Sequence, residues 1–154
     1  MKLIATIKLQ PTPEHAAALL ATMERFNAAC DWLGEQAFVL RSADKLALQN
    51  RYYASLRKRF DLSSQMAVRC ISKVCEVYKR DKSKQPRFRL RGAMPYDQRI
   101  LSFKAADRVS ILTLSGRVLV PYVTGDYHRA RLEGVRGQCD LVLRVSKWFL
   151  FVTV

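Results

Sequence analysis

A strand-like segment at the start of the chain is separated from all other strand-like segments by residues 10–98. Residues 2–9 are rich in β-branched side chains and partly alternate, which predicts a β-strand. Further strands are predicted at 99–104, 108–114, 117–121, 137–145 and 148–154. Since one strand is not stable by itself, we expect the first strand to pair with the later ones. The block between them is then an insertion into a β domain.

This intervening block has the periodicity of three helices. Thr12-Pro13-Glu14 is typical of a helix start, and apolar residues follow at three- and four-residue spacing over 13–38. A second helix is predicted over 45–59, and Ser63 or Ser64 can cap a third. Residues 125–133 fit a loop or a short helix. The order of elements predicts an α+β protein whose helices are segregated from an antiparallel sheet or small barrel.

Two short polar segments predict turns between the later strands. Ser115-Gly116 lies between two apolar runs and predicts a hairpin over 108–121. Ser146-Lys147 is a candidate turn for a second hairpin.

Positive charge is concentrated in the middle of the chain. The chain has 27 Lys and Arg against 13 Asp and Glu, a net charge of +14, and residues 41–91 alone hold 15 against 4, a net +11. This balance favours polyanionic partners such as RNA, DNA or an anionic membrane surface. A membrane role ranks last, because no basic amphipathic helix with exposed bulky apolar residues is predicted. With neither a long apolar segment nor a signal-peptide pattern, we expect a soluble, intracellular protein.

Residues 79–91, here called the basic connector, carry seven basic side chains and one acidic one around Phe88. Pro86 and the lack of periodicity predict an irregular segment. Cations neutralise phosphates, and an aromatic ring between them can stack on a base. The competing interpretations are a solvated helix face for Arg69, Lys73 and Arg80, and helix C-terminal charges at 57–59. The candidate contacts to a nucleic-acid backbone are Arg57, Lys58, Arg59, Arg69, Lys73, Lys79, Arg80, Lys82, Lys84, Arg87, Phe88, Arg89 and Arg91.

Catalytic and metal-binding patterns are not found in the sequence. It has no phosphate-binding glycine loop, no hydrolase serine motif and no clustered carboxylates for metal-assisted hydrolysis. The four cysteines form no CxxC pair, and we interpret them as small core residues in a reducing compartment. We therefore predict neither a cofactor nor a metal site, and no enzyme activity. The aromatic residues at 32, 148, 149 and 151 are expected to pack within the protein, with no ligand role.

Several segments together resemble the N-terminal part of TnpB, the OrfB-type protein of bacterial insertion sequences, which is related to the type V CRISPR effector nucleases. The segments span the whole chain in the family's order. They are Ile7-Lys8-Leu9-Gln10-Pro11-Thr12, Phe26-Asn27-Ala28-Ala29-Cys30-Asp31-Trp32, Leu62-Ser63-Ser64-Gln65-Met66-Ala67-Val68-Arg69, Val77-Tyr78-Lys79, Pro86-Arg87-Phe88-Arg89, the stretch 112–121 and the stretch 148–154.

The resemblance implies a wedge-type, OB-like β-barrel from residues 1–10 and 92–154, interrupted by a helical recognition insert at 11–85 with the basic connector at 79–91. Family members of this transposon-encoded type bind a structured guide RNA, pair it with target DNA and read a short DNA motif beside the target. The partners implied are guide RNA and target DNA or an RNA–DNA hybrid. The residues that match the family's motif-reading positions are Ser64, Gln65, Arg69, Phe103 and Lys104.

In the family, a nuclease domain with three metal-binding carboxylates and a CxxC zinc element follows the position of Val154. Because this sequence contains neither, we expect that the chain alone does not cut DNA. Two alternatives remain: a non-catalytic subunit of a split RNA-guided endonuclease, completed by a separate nuclease-domain chain, and a degenerate transposase remnant that binds nucleic acid nonspecifically. The expected location is the bacterial cytoplasm, at the nucleoid when DNA is bound.

Overall fold

The computed structural model describes residues 3–132 and 138–154. The first residues of the strands predicted at 2–9 and 137–145 lie outside this range, as does the last residue of the loop or short helix predicted at 125–133. The described residues form an α+β structure, which confirms the predicted class. Its elements are β1 (Ile4–Leu9), α1 (Pro13–Leu40), α2 (Lys45–Phe60), α3 (Ser64–Arg80), β2 (Met94–Tyr96), β3 (Leu101–Lys104), β4 (Arg108–Thr113), β5 (Gly116–Val123), α4 (Asp126–Leu132), β6 (Cys139–Arg144) and β7 (Lys147–Thr153).

The first strand lies in the middle of the sheet. The strand order is β2-β6-β7-β1-β5-β4-β3, and every neighbouring pair is antiparallel. β1 pairs with β7 from Ile4↔Thr153 to Lys8↔Phe149, and with β5 only at its end. The prediction that the first strand joins the later ones across the helical block is therefore confirmed.

The sheet curls into a half-barrel. The Tyr96 hydroxyl on β2 donates a hydrogen bond of 2.9 Å to the Leu112 carbonyl on β4, although these strands are far apart in the sheet order. Burial raises the pKa of the Tyr96 hydroxyl, so it remains a proton donor. Alternate residues of β1 and β7 point inward, and the apolar inner face of the sheet is fully buried at Ile7, Ile111 and Leu150.

The chain divides into two compact units, residues 1–21 with 93–154 and residues 22–92. The first contains the sheet. The second contains α2, α3 and most of α1, around a core that includes Phe26, Leu33 and Ile71. The Ser63 hydroxyl accepts the Met66 N–H at 3.3 Å, so Ser63 is the N-cap of α3. Of the two predicted caps, Ser63 and Ser64, the first is therefore the correct one. None of the described helices has the length and apolar character needed to cross a bilayer.

Two segments have regular secondary structure that was not predicted, one at each end of the irregular stretch after α3. Lys79 and Arg80, expected in an irregular segment, form the last turn of α3. Residues 94–96 form the short strand β2, which pairs with β6 at one end of the sheet. A three-residue strand with Pro95 at its centre gives no periodic signal, and proline is accepted there because the strand is an edge.

Both predicted hairpins form, with turns shifted from the expected residues. Between β4 and β5 the turn residues are 114–115, and Gly116 begins β5 with φ +105°. Between β6 and β7 they are Val145 and Ser146, and Lys147 is already in β7. Both have positive φ, +48° and +64°, as a two-residue hairpin turn requires. A β-branched side chain is strained at such a position.

We expect that Val145→Asn stabilises the protein. Val145 is 94% exposed, so its substitution removes almost no buried contact, whereas asparagine tolerates the left-handed backbone. The expected gain is about 1 kcal/mol, or a rise in Tm of about 2–4 °C by thermal unfolding. Val145→Ile is the matched control, because it keeps the β-branch. Equal Tm values for the two variants would contradict the assignment of strain to this turn.

Candidate nucleic-acid interface

Four residues of α1 form one stripe that holds the basic connector. Glu24, Asn27, Asp31 and Gly34 follow each other at spacings of three and four residues, which places them on one side of a helix. The connector runs along this stripe in the opposite direction, so that its later residues meet the earlier residues of the stripe. All of these residues belong to the second unit.

Asp31 holds the centre of the connector. Its Oδ1 accepts the backbone N–H of Phe88 at 3.0 Å and the Nε–H of Arg87 at 3.2 Å. A carboxylate that accepts hydrogen bonds from a backbone amide and a guanidinium makes stronger bonds than a neutral acceptor does. The backbone around Phe88 is therefore fixed by a residue 57 positions away in the sequence.

Asn27 and Glu24 hold the end of the connector. The Asn27 amide is completely buried, and its Nδ2 donates to the carbonyls of Leu90 at 3.1 Å and Gly92 at 2.8 Å. Glu24 pairs with the Nε of Arg91 at 3.3 Å. Because a buried amide N–H without an acceptor costs about 1–3 kcal/mol, the buried Asn27 amide favours the path of the chain that brings these two carbonyls to it.

Gly34 lets the start of the connector approach α1 closely. A Cβ atom at this position would lie 2.5 Å from the carbonyl oxygen of Pro86, which is closer than atoms can pack. Pro86 is buried, in contrast to the cations that surround it. The connector is thus packed against the helix by its proline and held by its backbone.

The Phe88 ring lies close to the half-buried Lys73 of α3. The Lys73 Nζ lies 5.7 Å from the centroid of Phe88 and 5.8 Å from that of Phe26. Phe26 is fully buried, while Phe88 and Lys73 are half-buried. An ammonium group at this distance from two ring faces is attracted by their quadrupoles. Lys73 therefore has a structural contact in addition to its charge.

The cationic side chains of the connector are exposed. Asp81 precedes them and accepts the N–H of Ser83 at 3.0 Å, and hydrogen bonds from Ser83 lower the pKa of this carboxyl. After Asp81, the exposed cations of the connector are Lys82, Lys84, Arg87, Arg89 and Arg91. In the ranges 3–132 and 138–154, no acidic side chain pairs with Arg89.

The predicted cations of α3 differ in their exposure. Lys79 and Arg80 are exposed, and Arg80 pairs with Glu76 one turn earlier at 2.8 Å. Arg69 is half-buried and takes part in contacts of its own. The interpretation of this helix side as a uniformly solvated surface is therefore wrong for Arg69 and Lys73.

Two of the three cations at the end of α2, Arg57 and Arg59, contact other residues of the protein. The Arg57 Nε donates to the Leu62 carbonyl at 3.4 Å, beyond the helix end. The guanidinium of Arg59 lies 5.1 Å from the ring centroid of Trp32. Lys58 is exposed. The positions of Arg57 and Arg59 fit the interpretation that they stabilise the end of the helix.

The residues predicted from the resemblance to read a DNA motif beside the target lie in both units. Ser64, Gln65 and Arg69 are on the first two turns of α3, in the second unit. Phe103 and Lys104 are on β3, in the first unit, where the Phe103 ring packs edge-on against Tyr122 at 5.9 Å and Lys104 is exposed.

The second unit is strongly positive. Residues 22–92 contain 16 Lys and Arg against 7 Asp and Glu, a net charge of +9. Three of the seven acidic residues are paired with the arginines at 80, 87 and 91. A protein surface with this excess attracts polyanions and raises their rate of association.

The described residues contain no group of three or more His, Cys, Asp or Glu side chains that could hold a metal ion. All four cysteines are buried, as expected for small core residues. The sulfur atoms of Cys30 and Cys70 lie 3.4 Å apart, and burial raises the pKa of the Cys70 thiol well above its usual value. This thiol is therefore a poor nucleophile and a poor metal ligand.

The stripe on α1 is the part of the site that the sequence analysis missed. Two acidic residues and an asparagine at helical spacing were a usable signal, because polar side chains on the buried side of a helix need hydrogen-bond partners. The basic connector has an excess of cations that can pair with such acidic residues.

No protein-family model and no curated protein sequence matches this chain.

We expect that Asp31→Ala loosens the connector. The substitution removes the acceptor of the Phe88 N–H and of Arg87, at a cost of about 1 kcal/mol after solvent screening. Limited trypsin digestion, followed by mass spectrometry, should then show cleavage after residues 87, 89 and 91 that is roughly fivefold faster.

Glu35→Ala is the matched control for Asp31→Ala. It removes the same charge from the same helix at an exposed position. Equal cleavage rates in the two variants would show that Asp31 does not hold the connector.

Proposed function

We propose that this chain is a nucleic-acid-binding module whose basic connector binds the phosphate backbone of a structured RNA. One observation carries the proposal. Beyond the end of α3, five exposed cations and a half-buried ring lie on a backbone that α1 holds through hydrogen bonds, which Asp31 accepts and Asn27 donates. Phosphate contacts by Lys and Arg supply most of the affinity of such an interface and make it dependent on salt.

The fixed backbone favours binding. A free loop would lose conformational entropy when it wraps around RNA, and this loss would subtract from the affinity. Here the loss has already occurred during folding, because α1 fixes the connector at Phe88 and Leu90 and the chain directly after it at Gly92. The cations of the connector therefore start from a restricted set of positions.

The ion pairs of Arg87 and Arg91 do not prevent this function. Their side chains are 74% and 63% exposed, and exposed ion pairs contribute at most about 1 kcal/mol. A phosphate can replace or share the carboxylate partner at little cost, and arginine binds phosphate through two parallel hydrogen bonds. The same residues can thus hold the connector before binding and contact RNA afterwards.

Within this proposal, the chain is a TnpB-like, transposon-encoded protein. An antiparallel half-barrel whose first strand and later strands are separated in sequence by three helices is the arrangement expected of an OB-like wedge with a recognition insert. The partners are then a structured guide RNA and its hybrid with target DNA. Motif reading by Ser64, Gln65, Arg69, Phe103 and Lys104 belongs to the same proposal.

The salt dependence of RNA binding tests the role of the connector. If six to eight phosphates are engaged, the slope of log affinity against log salt for a hairpin RNA should be roughly −4 to −7. Replacing Arg87, Arg89 and Arg91 together by glutamine should make the slope shallower by about 2–3, as three phosphate contacts are lost. Fluorescence anisotropy over a series of salt concentrations measures both quantities.

A charge-matched triple variant is the control for the slope. Arg41, Lys45 and Arg51 are exposed cations of the same unit, outside the connector. Their replacement by glutamine removes the same three charges and should leave the slope nearly unchanged. Equal changes in the two triple variants would mean that net charge alone, and not the connector, determines binding.

The same assay separates the alternatives. A preference for structured guide-type RNA over random RNA and duplex DNA at physiological salt supports the guide-binding module. Equal and salt-sensitive binding to all three, and to heparin, indicates a degenerate remnant. Repeated recovery of a carboxylate-bearing nuclease chain with this one would indicate a subunit of a split endonuclease.

A further inference from the structure

Two aromatic side chains lie on the outer face of the sheet in the first unit. Phe149 and Phe151 are on β7 and partly exposed, whereas the residues between and beside them point inward. Trp148, Leu150 and Val152 are all buried. Alternate residues of a strand lie roughly 7 Å apart on one face. The expectation that these aromatic residues pack within the protein is therefore confirmed for Trp148, which is buried, whereas Phe149 and Phe151 keep part of their surface exposed.

The pairing of the strands places cations on the same face. In the register, Phe149 lies opposite Lys8 of β1, and Arg144 of β6 lies opposite Lys147 of β7. All three cations are exposed. The guanidinium carbon of Arg144 lies 5.0 Å from the ring centroid of Phe151, so that it already covers part of this ring.

The charge of this face is net positive. Its exposed acidic residue is Asp140, which lies opposite Phe151. Within residues 3–132 and 138–154, the strand register places three cations and one carboxylate beside the two rings. We call the set of Phe149, Phe151, Lys8, Arg144 and Lys147 the aromatic face. A surface that serves only to pack against apolar protein would not benefit from three cations around its rings, because each would lose its hydration.

We propose that the aromatic face binds unpaired nucleotides of a single-stranded nucleic acid. Successive bases stack on Phe149 and Phe151, and the phosphates between them contact the three cations. Base–aromatic stacking combined with a positive groove is the usual means of holding single strands. The site lies in the first unit and does not depend on the basic connector of the second.

The sequence of β7 supports this assignment. RNA-binding sheets of the RNP1 type carry a basic residue followed by aromatic residues, in the pattern K/R-G-F/Y-G/A-F-V-x-F/Y, whose last aromatic position is Val154 in this chain. Here the strand reads Lys147-Trp148-Phe149-Leu150-Phe151-Val152. The small residues of that pattern are replaced by Trp148 and Leu150, which are buried in the core of the half-barrel. The outward-facing positions keep the pattern, and the inward-facing positions serve this fold.

The proposal can be tested on the full chain with a short oligothymidylate as the single-stranded probe. Phe149→Leu and Phe151→Leu keep an apolar side chain but remove the ring, and each should weaken binding about tenfold. Phe149→Tyr and Phe151→Tyr keep a ring and should bind as the parent does. Leu119→Ala on β5 is the control at another exposed apolar position of the sheet and should have no effect.

Three results would overturn the proposal. They are the absence of oligothymidylate binding by the parent protein, unchanged binding by both leucine variants, and an equal loss in the leucine and tyrosine variants. If a leucine variant has a lowered Tm, Lys8→Gln and Arg144→Gln decide instead, since both positions are exposed. Each should weaken binding and reduce its salt slope by about 1.

Failure of this proposal can be distinguished from failure of the connector proposal. The leucine variants should leave the binding and salt slope of a fully paired hairpin RNA unchanged, because stacking needs unpaired bases. The connector triple variant should change that slope and affect the oligothymidylate less. The two sites are thus reported by different probes.

Discussion

The candidate interface depends on the hydrogen bonds between α1 and the connector backbone, which Asn27 donates and Asp31 accepts. Without them, residues 81–92 would be a flexible loop with many like charges, which repel each other. With them, the loop follows one face of α1, its proline is buried and its cations project into solvent. A few directional hydrogen bonds stabilise this path of the loop, and the helix that makes them is itself stabilised by the buried core of the second unit. Binding and folding are connected at this point, because the acidic residues that fix the connector are also those that a phosphate would replace.

The central position of β1 has a similar role in the first unit. β1 pairs with β7 and β5, so the sheet forms only when the beginning of the chain meets strands more than a hundred residues later. Such non-local pairing is costly in loop entropy and forms slowly. The aromatic face depends on it directly, since Lys8 comes from β1 while both rings come from β7. A surface of this kind cannot exist in a fragment that lacks the first strand.

Most of the fold could be predicted from the sequence, because its elements have strong local signals. The alternation in the strands, the Ser63 cap and the isolated first strand led to the α+β class and to the pairing of β1. The β2 strand could not be predicted, since three residues carry no period. At the site, the connector was predicted from its charge. Its path along Asn27 was not, because a side chain that bonds two carbonyls 63 and 65 residues away leaves no local pattern. The ring of Phe149 could not be assigned to an outer face until the strand order was known.

If the connector, held on α1, is the surface that contacts RNA, NMR can show it. The experiment titrates the isotope-labelled full chain with a hairpin RNA and follows the backbone amide signals. The largest changes should fall on the amides of residues 82–85 and 87–91, with smaller changes at the start of α3. If RNA binds with measurable affinity while the connector amides, including that of Phe88, keep their free positions, the proposal is wrong and the binding surface lies elsewhere in the chain.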